Sequence, residues 1–414
     1  MSDLYERSAA VMPPFALHKM PFGIDHASGS YLYTDDGRKI LDFGSGIAVN
    51  NLGHNYPTVV KEAHEQLDKM VHCCHNLFHY EKETALAERI VGLMGGGYKV
   101  YFSNSGAEAV EGAVKLAKYA TERPAIIAFK GSFHGRTMMC TSLTASNSAY
   151  RKHYEGLVPS IYFAEYPKLF GTPYKMEDGK CPKQYFTQFD DIFKRLVDPY
   201  SVAAILMEPV QGEGGVHPAT QEFMTGLREF CDENGMLLLI DEVQTGWCRT
   251  GAVMSYMNYG IKPDIVSMAK GLGGGMPIGA ICATEEVAKA FTPGSHGTTF
   301  GGHPVSCAAA YAEVGELLDR DLAGNAKKMG DYFSEKLAKM PHVKEVRHQG
   351  LLVGVEFDDA VSGVEVKHAC LDRKLLITAI GAHTIRMVPP LIVNEEQCDK
   401  AVEIITEAVE AVAK

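Results

Sequence analysis

Lys270 and Asp241 are the residues of this sequence whose types and positions most readily suggest chemistry. Asp241 ends the apolar run 236–241, and Lys270 closely follows a second run, 264–268. If both runs are strands of one parallel sheet, the two side chains emerge at its carboxyl edge, where open α/β sheets bind their ligands. Glycines at 271 and 273–275 would let the chain turn tightly after the lysine.

A buried lysine that faces a buried aspartate suits a pyridoxal phosphate (PLP) site. The lysine would hold the cofactor as a Schiff base, and the aspartate would pair with the nitrogen of the pyridine ring. The alternative for Lys270 is a solvated side chain that follows a strand. The pairing with Asp241 and the glycines that follow Lys270 favour the PLP site.

A phosphate needs hydrogen-bond donors, and the first candidate donors lie at the start of a helix. Ser105 and Glu108 have the S-x-x-E spacing that marks such a start. The N–H groups of Gly106 and Ala107 would then be free to bind an anion. An ordinary capped helix is the alternative interpretation of this segment.

Two other segments carry groups that a flat, phosphorylated ligand could use. Phe133 follows a strand-like run, and its ring could stack on a flat ring. Thr298 and Thr299 offer hydroxyl and amide groups that suit a phosphate. The G-x-G-x-x-G pattern of dinucleotide-binding proteins is absent after the strand-like run that ends at Ser103.

Arg136 and Arg386 are the candidate ligands for substrate carboxylates. Arg136 lies in a loop after a strand, and Arg386 lies within an apolar run that two prolines end. An arginine can hold a carboxylate through two parallel hydrogen bonds. Two such arginines suit a substrate with two carboxylates, or two alternating substrates. Glu208 and Glu213 follow a strand-like run and could pair with an arginine or tune the site. Solvated side chains are the alternative for Arg136 and the two glutamates, whereas an arginine within an apolar run, like Arg386, tends to be paired or functional.

Seven short apolar or β-branched runs predict the strands that would position these residues. Helical patterns fill several of the gaps, and this alternation predicts a mostly parallel sheet covered on both faces. The predicted strands are 99–103, 124–129, 161–163, 202–207, 236–241, 264–268 and 279–283. The predicted fold class is therefore α/β, with a large doubly wound, mostly parallel seven-stranded domain and a smaller α/β domain.

The predicted large domain spans residues 56–304. Residues 305–414, with four helical patterns and two strand-like runs, predict the smaller domain, which an N-terminal segment of residues 1–55 would join. That segment is expected to begin as extended, turn-rich chain and contains a hairpin pattern around Asp36-Gly37. Residues 166–184, rich in Pro, Tyr, Lys and Gly, are interpreted as a surface insertion.

The composition is that of an ordinary soluble enzyme. The net charge of the 414 residues is −11, so no basic field would attract nucleic acid. No apolar run approaches the ~18 residues that span a bilayer, and no signal peptide is visible. The ten cysteines form no C-x-x-C pair and suggest the reduced thiols of a cytoplasmic protein. Cys73 and Cys74, between two histidines, are poorly placed for a tetrahedral metal site, and we expect no metal.

Six ordered motifs resemble those of the class III (ω-amino acid) PLP-dependent aminotransferases. They are Ser-Asn-Ser-Gly-Ala-Glu-Ala at 103–109, Phe-His-Gly-Arg-Thr at 133–137, Glu-Pro-Val-Gln-Gly-Glu-Gly-Gly at 208–215, Asp-Glu-Val-Gln-Thr-Gly at 241–246, Ala-Lys-Gly-Leu-Gly-Gly-Gly at 269–275 and Gly-Thr-Thr-Phe-Gly-Gly at 297–302. The similarity extends over nearly the whole chain. It implies the fold type I architecture of PLP enzymes, and a homodimer, with a tetramer as the alternative, whose active sites lie at the subunit interface.

The resemblance also implies roles for individual residues. Lys270 would hold the cofactor and move the substrate proton, and Asp241 would pair with the ring nitrogen. Glu208 would pair with Arg386 when the substrate has only one carboxylate. The remaining implied residues are Ser105, Gly106, Ala107, Phe133, His134, Val243, Gln244, Thr298 and Thr299 for the cofactor, with Thr299 donated by the neighbouring subunit, and Ile47, Arg136 and Arg386 for substrates.

The amino donor is less closely indicated. Ile47 stands where ornithine aminotransferases carry a tyrosine, which argues against ornithine. The insertion and residues 189–208 resemble 4-aminobutyrate aminotransferases, whereas segments 294–302 and 385–391 resemble N-acetylornithine aminotransferases. We favour a ping-pong transfer from 4-aminobutyrate to 2-oxoglutarate that yields glutamate, with N-acetylornithine, lysine or putrescine as alternative donors. A PLP-dependent epimerase or aminomutase and a cofactor-free binding protein are the rival function classes.

Overall fold

The structure, a computed structural model, describes residues 3–14, 20–167 and 185–413. Its strands are β1 (Ile24–Ser28), β2 (Tyr31–Thr34), β3 (Lys39–Asp42), β4 (Tyr98–Ser103), β5 (Ala125–Phe129), β6 (Ile161–Ala164), β7 (Val202–Met207), β8 (Val210–Gln211), β9 (His217–Pro218), β10 (Leu237–Asp241), β11 (Ile265–Met268), β12 (Gly279–Thr284), β13 (Val343–Gln349), β14 (Leu352–Phe357), β15 (Leu375–Leu376), β16 (Thr378–Ile380) and β17 (Thr384–Met387).

The helices lie before, between and after these strands. They are α1 (Asp3–Val11), α2 (Ser45–Ala48), α3 (Pro57–Lys69), α4 (Glu81–Leu93), α5 (Gly106–Thr121), α6 (Met138–Leu143), α7 (Thr187–Arg195), α8 (Gln221–Asn234), α9 (Glu285–Ala288), α10 (Pro304–Asp319), α11 (Leu322–Leu337), α12 (Gly363–Asp372) and α13 (Glu395–Val412). None of the helices in the described ranges combines the length and apolar character needed to cross a membrane.

The predicted strands form one seven-stranded sheet in the order β4-β12-β11-β10-β7-β5-β6. Only β12 runs antiparallel to its neighbours, and the other pairs are parallel. Strands β5 and β7 are buried along their whole length, because parallel sheets of this type are covered on both faces. The α/β fold class with a mostly parallel seven-stranded sheet is therefore confirmed.

The register of this sheet brings the predicted chemical residues to one edge. Asp241, at the end of β10, lies opposite Ser267 in the parallel strand β11, so Lys270 emerges just beyond the same edge. Gly279 at the start of β12 lies opposite Ser103 at the end of β4. A Cβ at Gly279 would lie 2.3 Å from the carbonyl oxygen of Ser105, so a glycine is required for β12 to pass the start of α5.

Two four-stranded sheets lie outside the large sheet. One has the order β1-β2-β3-β15 and contains the predicted N-terminal hairpin, with β3 parallel to β15 from the C-terminal part of the chain. The other, β13-β14-β17-β16, is antiparallel and carries Arg386 on β17. Helix α10 packs against α3 and α4. The boundaries 55/56 and 304/305 between domains stay a prediction.

Two predictions concerned irregular segments, the start of the chain and the insertion 166–184. The start of the chain was expected to be extended, but residues Asp3–Val11 form the helix α1. This prediction was wrong because acidic side chains in the first turn and good helix formers favour a helix even where no residue is buried. Most of the predicted insertion, residues 168–184, lies outside the described residues.

Candidate active site

A cavity of about 400 Å³ opens at the carboxyl edge of the large sheet. Its wall combines charged groups with an apolar side formed by Val49 and by Met276–Ile278, the segment after the glycine turn. Ten predicted site residues line it: Ser105, Gly106, Ala107, Phe133, His134, Glu208, Asp241, Val243, Gln244 and Lys270. Residues from five separate segments thus meet in one place, as the common strand edge predicts.

Lys270 begins a short 3₁₀ turn directly after β11, with a left-handed backbone (φ 43°). Few residues with a side chain adopt this conformation, and such strain is a feature of functional sites. Burial, and next the positive charge of Arg386, lower the pKa of Lys270 to about 8, against the opposing effect of Glu213 and Asp241. A substantial share of this amine is therefore neutral near physiological pH and able to accept a proton.

Both carboxylate oxygens of Asp241 have hydrogen-bond donors. Oδ2 lies 2.7 Å from Nδ1 of His134, whose side chain is wholly buried, and Oδ1 accepts a bond from the N–H of Val243 at 3.0 Å. His134 is itself held through its N–H, which donates to the hydroxyl of Thr144. These contacts fix the carboxylate at the cavity wall, where it can pair with a protonated ring nitrogen.

The start of α5 provides the predicted anion site. The hydroxyl of Ser105 caps the helix by accepting from the N–H of Glu108 at 3.2 Å. The carboxylate of Glu108 accepts from the N–H of Asn104, one residue before the position that a regular capping box uses. A Cβ at Gly106 would lie 2.7 Å from Val243, so this glycine allows the helix to approach the end of β10.

Arg386 pairs with Glu213 rather than with Glu208. Its Nη1 lies 2.7 Å from Oε1 of Glu213 and 3.3 Å from Oε1 of Gln244. The oxygens of Glu208 instead accept bonds from the N–H groups of Phe133 (2.8 Å) and Gly212 (3.1 Å). The predicted pairing of Glu208 with Arg386 was therefore wrong, because these backbone donors already hold the Glu208 carboxylate elsewhere.

The two glutamates also differ in their tendency to ionise. Burial raises the pKa of Glu208 to about 7. Burial acts in the same direction on Glu213, but the charge of Arg386 and its hydrogen bond keep the pKa of Glu213 below the ordinary value. Glu213 is thus the ionised partner of Arg386 at the cavity, and Glu208 is a buried acid that braces the segment around Phe133.

None of the three predicted substrate-binding residues lines the cavity itself. Arg386 contacts the cavity wall through Glu213 and Gln244, and the other two lie farther out. Arg136 is exposed, and its guanidinium stacks 3.7 Å from the ring centre of Tyr150 and 5.6 Å from that of Phe133. Ile47 lies on the left-handed turn α2 with its side chain 54% exposed. Neither contacts Lys270 or Arg386 in the described structure of the single chain.

The two threonines likewise lie beside the cavity rather than in its wall. Thr298 accepts a bond from the side chain of Asn104, which does line the cavity, at 3.4 Å. The carbonyl of Thr298 is held by Nδ2 of Asn76 at 2.8 Å, and Thr299 is exposed. The role of Thr299 in a neighbouring subunit's site stays a prediction.

Sequence reasoning did not single out Asn104, Val49 or the segment Met276–Ile278 as part of the cavity wall. A signal existed for two of them. Asn104 belongs to the motif that opens α5, and residues 276–278 must return from the glycine turn to β12. Val49 is brought in from the N-terminal segment only by the tertiary fold, and no local pattern indicates it.

The chain was compared with known protein families, with curated proteins and with solved structures. The family described as Aminotransferase class-III matches residues 15–409. The chain belongs to the class III aminotransferases. Its relatives include the acetylornithine aminotransferase of Aquifex aeolicus, 39% identical over 94% of this chain and 97% of the relative. The acetylornithine aminotransferase of Caldanaerobacter subterraneus is 40% identical over 94% of each chain.

Solved aminotransferases share the fold of this class III enzyme over nearly the whole chain. An aminotransferase from Bacillus anthracis has a TM-score of 0.92 at 26% identity and covers 99% of this chain and 98% of its own. An amine transaminase from an uncultivated Pseudomonas species, solved in the PLP-bound form, has a TM-score of 0.91 at 28% identity and covers 97% and 98%. PLP is therefore the cofactor, and the hypothesis of a cofactor-free protein was wrong.

The residues of the cavity fit this cofactor. The N–H groups of Gly106 and Ala107 at the start of α5 suit its phosphate. Phe133 can stack on its ring, Asp241 can pair with its ring nitrogen, and Lys270 can hold it covalently. When bound, PLP withdraws electrons from the substrate carbon that loses a proton. The amine of Lys270, at the cavity wall, would be placed to move that proton, so the proton transfer would need no diffusing base.

The lowered pKa of Lys270 leads to a testable prediction. In the cofactor-free protein, acetylation of Lys270 should be half-maximal at about pH 8, because only the neutral amine reacts. Substitution Arg386→Met should move this midpoint to higher pH, since a like charge that disfavours the protonated amine is removed. Peptide mass spectrometry measures the labelling, with exposed Lys61 in the same samples as the reference for reagent loss. A midpoint that Arg386→Met leaves unchanged would contradict the assigned electrostatic coupling.

Proposed function

We propose that this class III aminotransferase moves the terminal amino group of N-acetylornithine to 2-oxoglutarate, which gives glutamate and a semialdehyde. The relatives from Aquifex aeolicus and Caldanaerobacter subterraneus bear the name acetylornithine aminotransferase, as does one from Bacillus subtilis at 38% identity. These names favour N-acetylornithine over 4-aminobutyrate, the donor favoured from the sequence. Most of the insertion on which that preference rested, residues 168–184, lies outside the described residues.

The observation that carries the proposal is the ion pair of Arg386 and Glu213 beside Lys270. A dicarboxylate acceptor brings its own negative charge and can take Arg386 from Glu213. A donor with one carboxylate places no negative charge next to Arg386, and Glu213 then neutralises Arg386. A buried charge without a partner is costly, so this exchange lets one cavity bind two differently charged substrates in turn, as a ping-pong reaction requires.

The donor end of the site suits a carboxylate without a free α-amino group. Arg136, supported by the ring of Tyr150, can bind that carboxylate. An α-ammonium at the same carbon would be repelled by the guanidinium, whereas an acetylated nitrogen carries no charge. The apolar side chains of Val49 and Met276 line the cavity and can contact the acetyl methyl group. These features support N-acetylornithine over ornithine.

We also propose that two copies of the chain form a dimer. Large apolar side chains are exposed around Thr299, which itself is exposed: Phe300 (57%), Leu77 (73%) and Phe78 (57%). Asn76 ties the loop that carries Leu77 and Phe78 to Thr298. A contiguous apolar patch of this kind is a feature of protein interfaces. A second copy would bury it and bring Thr299 to the neighbouring cavity, as the family resemblance implies.

The donor is tested with a panel of amines. The purified enzyme should form glutamate from 2-oxoglutarate with N-acetylornithine at a kcat/KM at least about tenfold above that with 4-aminobutyrate, ornithine, lysine or putrescine, a ratio within the reach of one charged contact. The Lys270→Ala variant is the control and should form none. Turnover of a single amino acid without any keto acid would favour an epimerase or aminomutase instead.

The exchange of Glu213 is tested with Glu213→Gln. This variant should lose about tenfold or more in kcat/KM for the half-reaction with N-acetylornithine, because Arg386 then lacks a negative partner. The half-reaction with 2-oxoglutarate should be little affected, since the acceptor supplies the charge. Stopped-flow absorbance measures both half-reactions on one preparation, so each serves as the control for the other. Equal losses in both would contradict the proposed role.

The dimer is tested by sedimentation. The wild-type chain should sediment at twice 45.2 kDa or a multiple of it. Phe300→Asp places a charge in the proposed interface and should shift the population towards the monomer. Tyr200→Asp, which alters a side chain 79% exposed on another part of the chain, is the matched control and should leave the mass unchanged. A wild-type monomer at micromolar concentration would overturn the proposal.

A further inference from the structure

Arg249 is a buried cation that the chemistry described above does not use. Its side chain has no exposed surface, and its partners among the described residues are neutral oxygens. Its Nε is buried and has no hydrogen-bond partner among the residues that the structure describes. Burial of a charge that no carboxylate compensates is costly. We therefore looked for a role of Arg249 that offsets the cost of burying its charge.

The guanidinium joins three separate parts of the chain. Nη1 donates to the carbonyl of Leu351 at 3.1 Å and to that of Pro389 at 2.5 Å. Nη2 donates to Oδ1 of Asn51 at 2.8 Å. Pro389 lies just beyond β17, the strand that carries Arg386. Arg249 thus fixes the exit of the strand that presents the carboxylate-binding arginine.

Asn51 lies between Arg249 and the turn that contains Lys270. Its Nδ2 donates to the carbonyl of Trp247 at 2.8 Å, so both ends of the amide are held. A Cβ at Gly271 would lie 2.2 Å from this Nδ2, which places the amide directly against the residue that follows Lys270. Because Lys270 has a left-handed backbone, its turn depends on such contacts to keep its shape.

The same segments are tied together by further backbone bonds. The N–H of Leu391 donates to the carbonyl of Asn51 at 2.7 Å, and the N–H of Leu351 donates to the carbonyl of Arg249 at 3.0 Å. Trp247 and Cys248, just before Arg249, both have left-handed backbones (φ 56° and 70°). Two strained residues in sequence indicate that the position of this guanidinium is maintained at a cost in stability.

We propose that Arg249 is a positioning residue that holds Lys270 and Arg386 at their correct separation across the cavity. It acts on Lys270 through Asn51 and Gly271, and on Arg386 through the carbonyl of Pro389. The inference rests on the proposed function, which gives Lys270 the proton transfer and Arg386 the acceptor carboxylate. Arginine suits this task because its rigid fork directs several N–H groups at once, which the single ammonium group of lysine does not.

The test compares Arg249→Lys, Arg249→Met and Asn51→Ala with a matched control, Arg228→Met. Arg228 is a largely buried arginine that binds Asp264 and Asp232, and Asp264 precedes β11 at the opposite edge of the sheet. For each PLP-loaded protein, three quantities are measured: the melting temperature, the pH midpoint of the visible absorbance of the bound cofactor, and the Kd of glutarate. Glutarate is an unreactive dicarboxylate, and calorimetry measures its binding.

Arg249→Lys and Arg249→Met should weaken glutarate binding about tenfold or more and shift the pH midpoint, since small displacements in an active site have large effects. Asn51→Ala should shift the midpoint with a smaller loss of glutarate affinity, because the contact with Pro389 remains. Arg228→Met should lower only the melting temperature. If Asn51→Ala and Arg249→Lys behave like Arg228→Met, Arg249 has only a structural role and the inference is overturned, even where Arg249→Met fails to fold.

A different measurement would contradict the proposed function. The wild-type protein would then form no glutamate from 2-oxoglutarate with any donor of the panel. The response of the variants to glutarate and to pH does not depend on which donor the enzyme uses. The two hypotheses can therefore fail separately.

Discussion

Two cations, Lys270 and Arg386, lie close to each other, and the other charges of the site are arranged around this constraint. Lys270 lines the cavity, and the buried Arg386 contacts Glu213 and Gln244 of the cavity wall. The mutual repulsion of the two cations and their burial favour the neutral form of the lysine, so its pKa falls to about 8. Glu213 forms an ion pair with Arg386, and His134 orients Asp241. The cavity can therefore contain a base and a fixed positive charge at the same pH, which transamination with a dicarboxylate requires.

The large sheet and the position of its chemical edge could be predicted from the sequence. Strands buried on both faces appear as continuous apolar runs, and the residues that follow them, such as Asp241 and Lys270, must meet at the carboxyl edge. The same logic located Ser105 and the start of α5. These predictions rest on local patterns and on one rule of topology, so they need no knowledge of side-chain contacts.

Other parts of the site depend on contacts between distant segments. Glu208 and Glu213 lie in one motif, and nothing in their spacing shows that the N–H groups of Phe133 and Gly212 hold the first and leave the second for Arg386. Arg249 and Asn51 meet only in the folded chain. The helix α1 has no buried residue, so its apolar pattern carries little signal. Ile47 and Arg136, the residues predicted to bind the amino donor, are exposed in the single chain, so no packing contact there indicates which donor they bind.

The place of β12 in the sheet has a consequence for how the protein is made. This strand lies between β4 and β11, and it pairs Gly279 with Ser103 beside the start of α5. A chain that leaves the ribosome from its N-terminus forms α5 long before β12 is available to complete the wall behind it. Arg386 arrives later still. Capture of the cofactor is thus a late event in biosynthesis, and a truncated nascent chain would expose the sheet edge without a finished pocket.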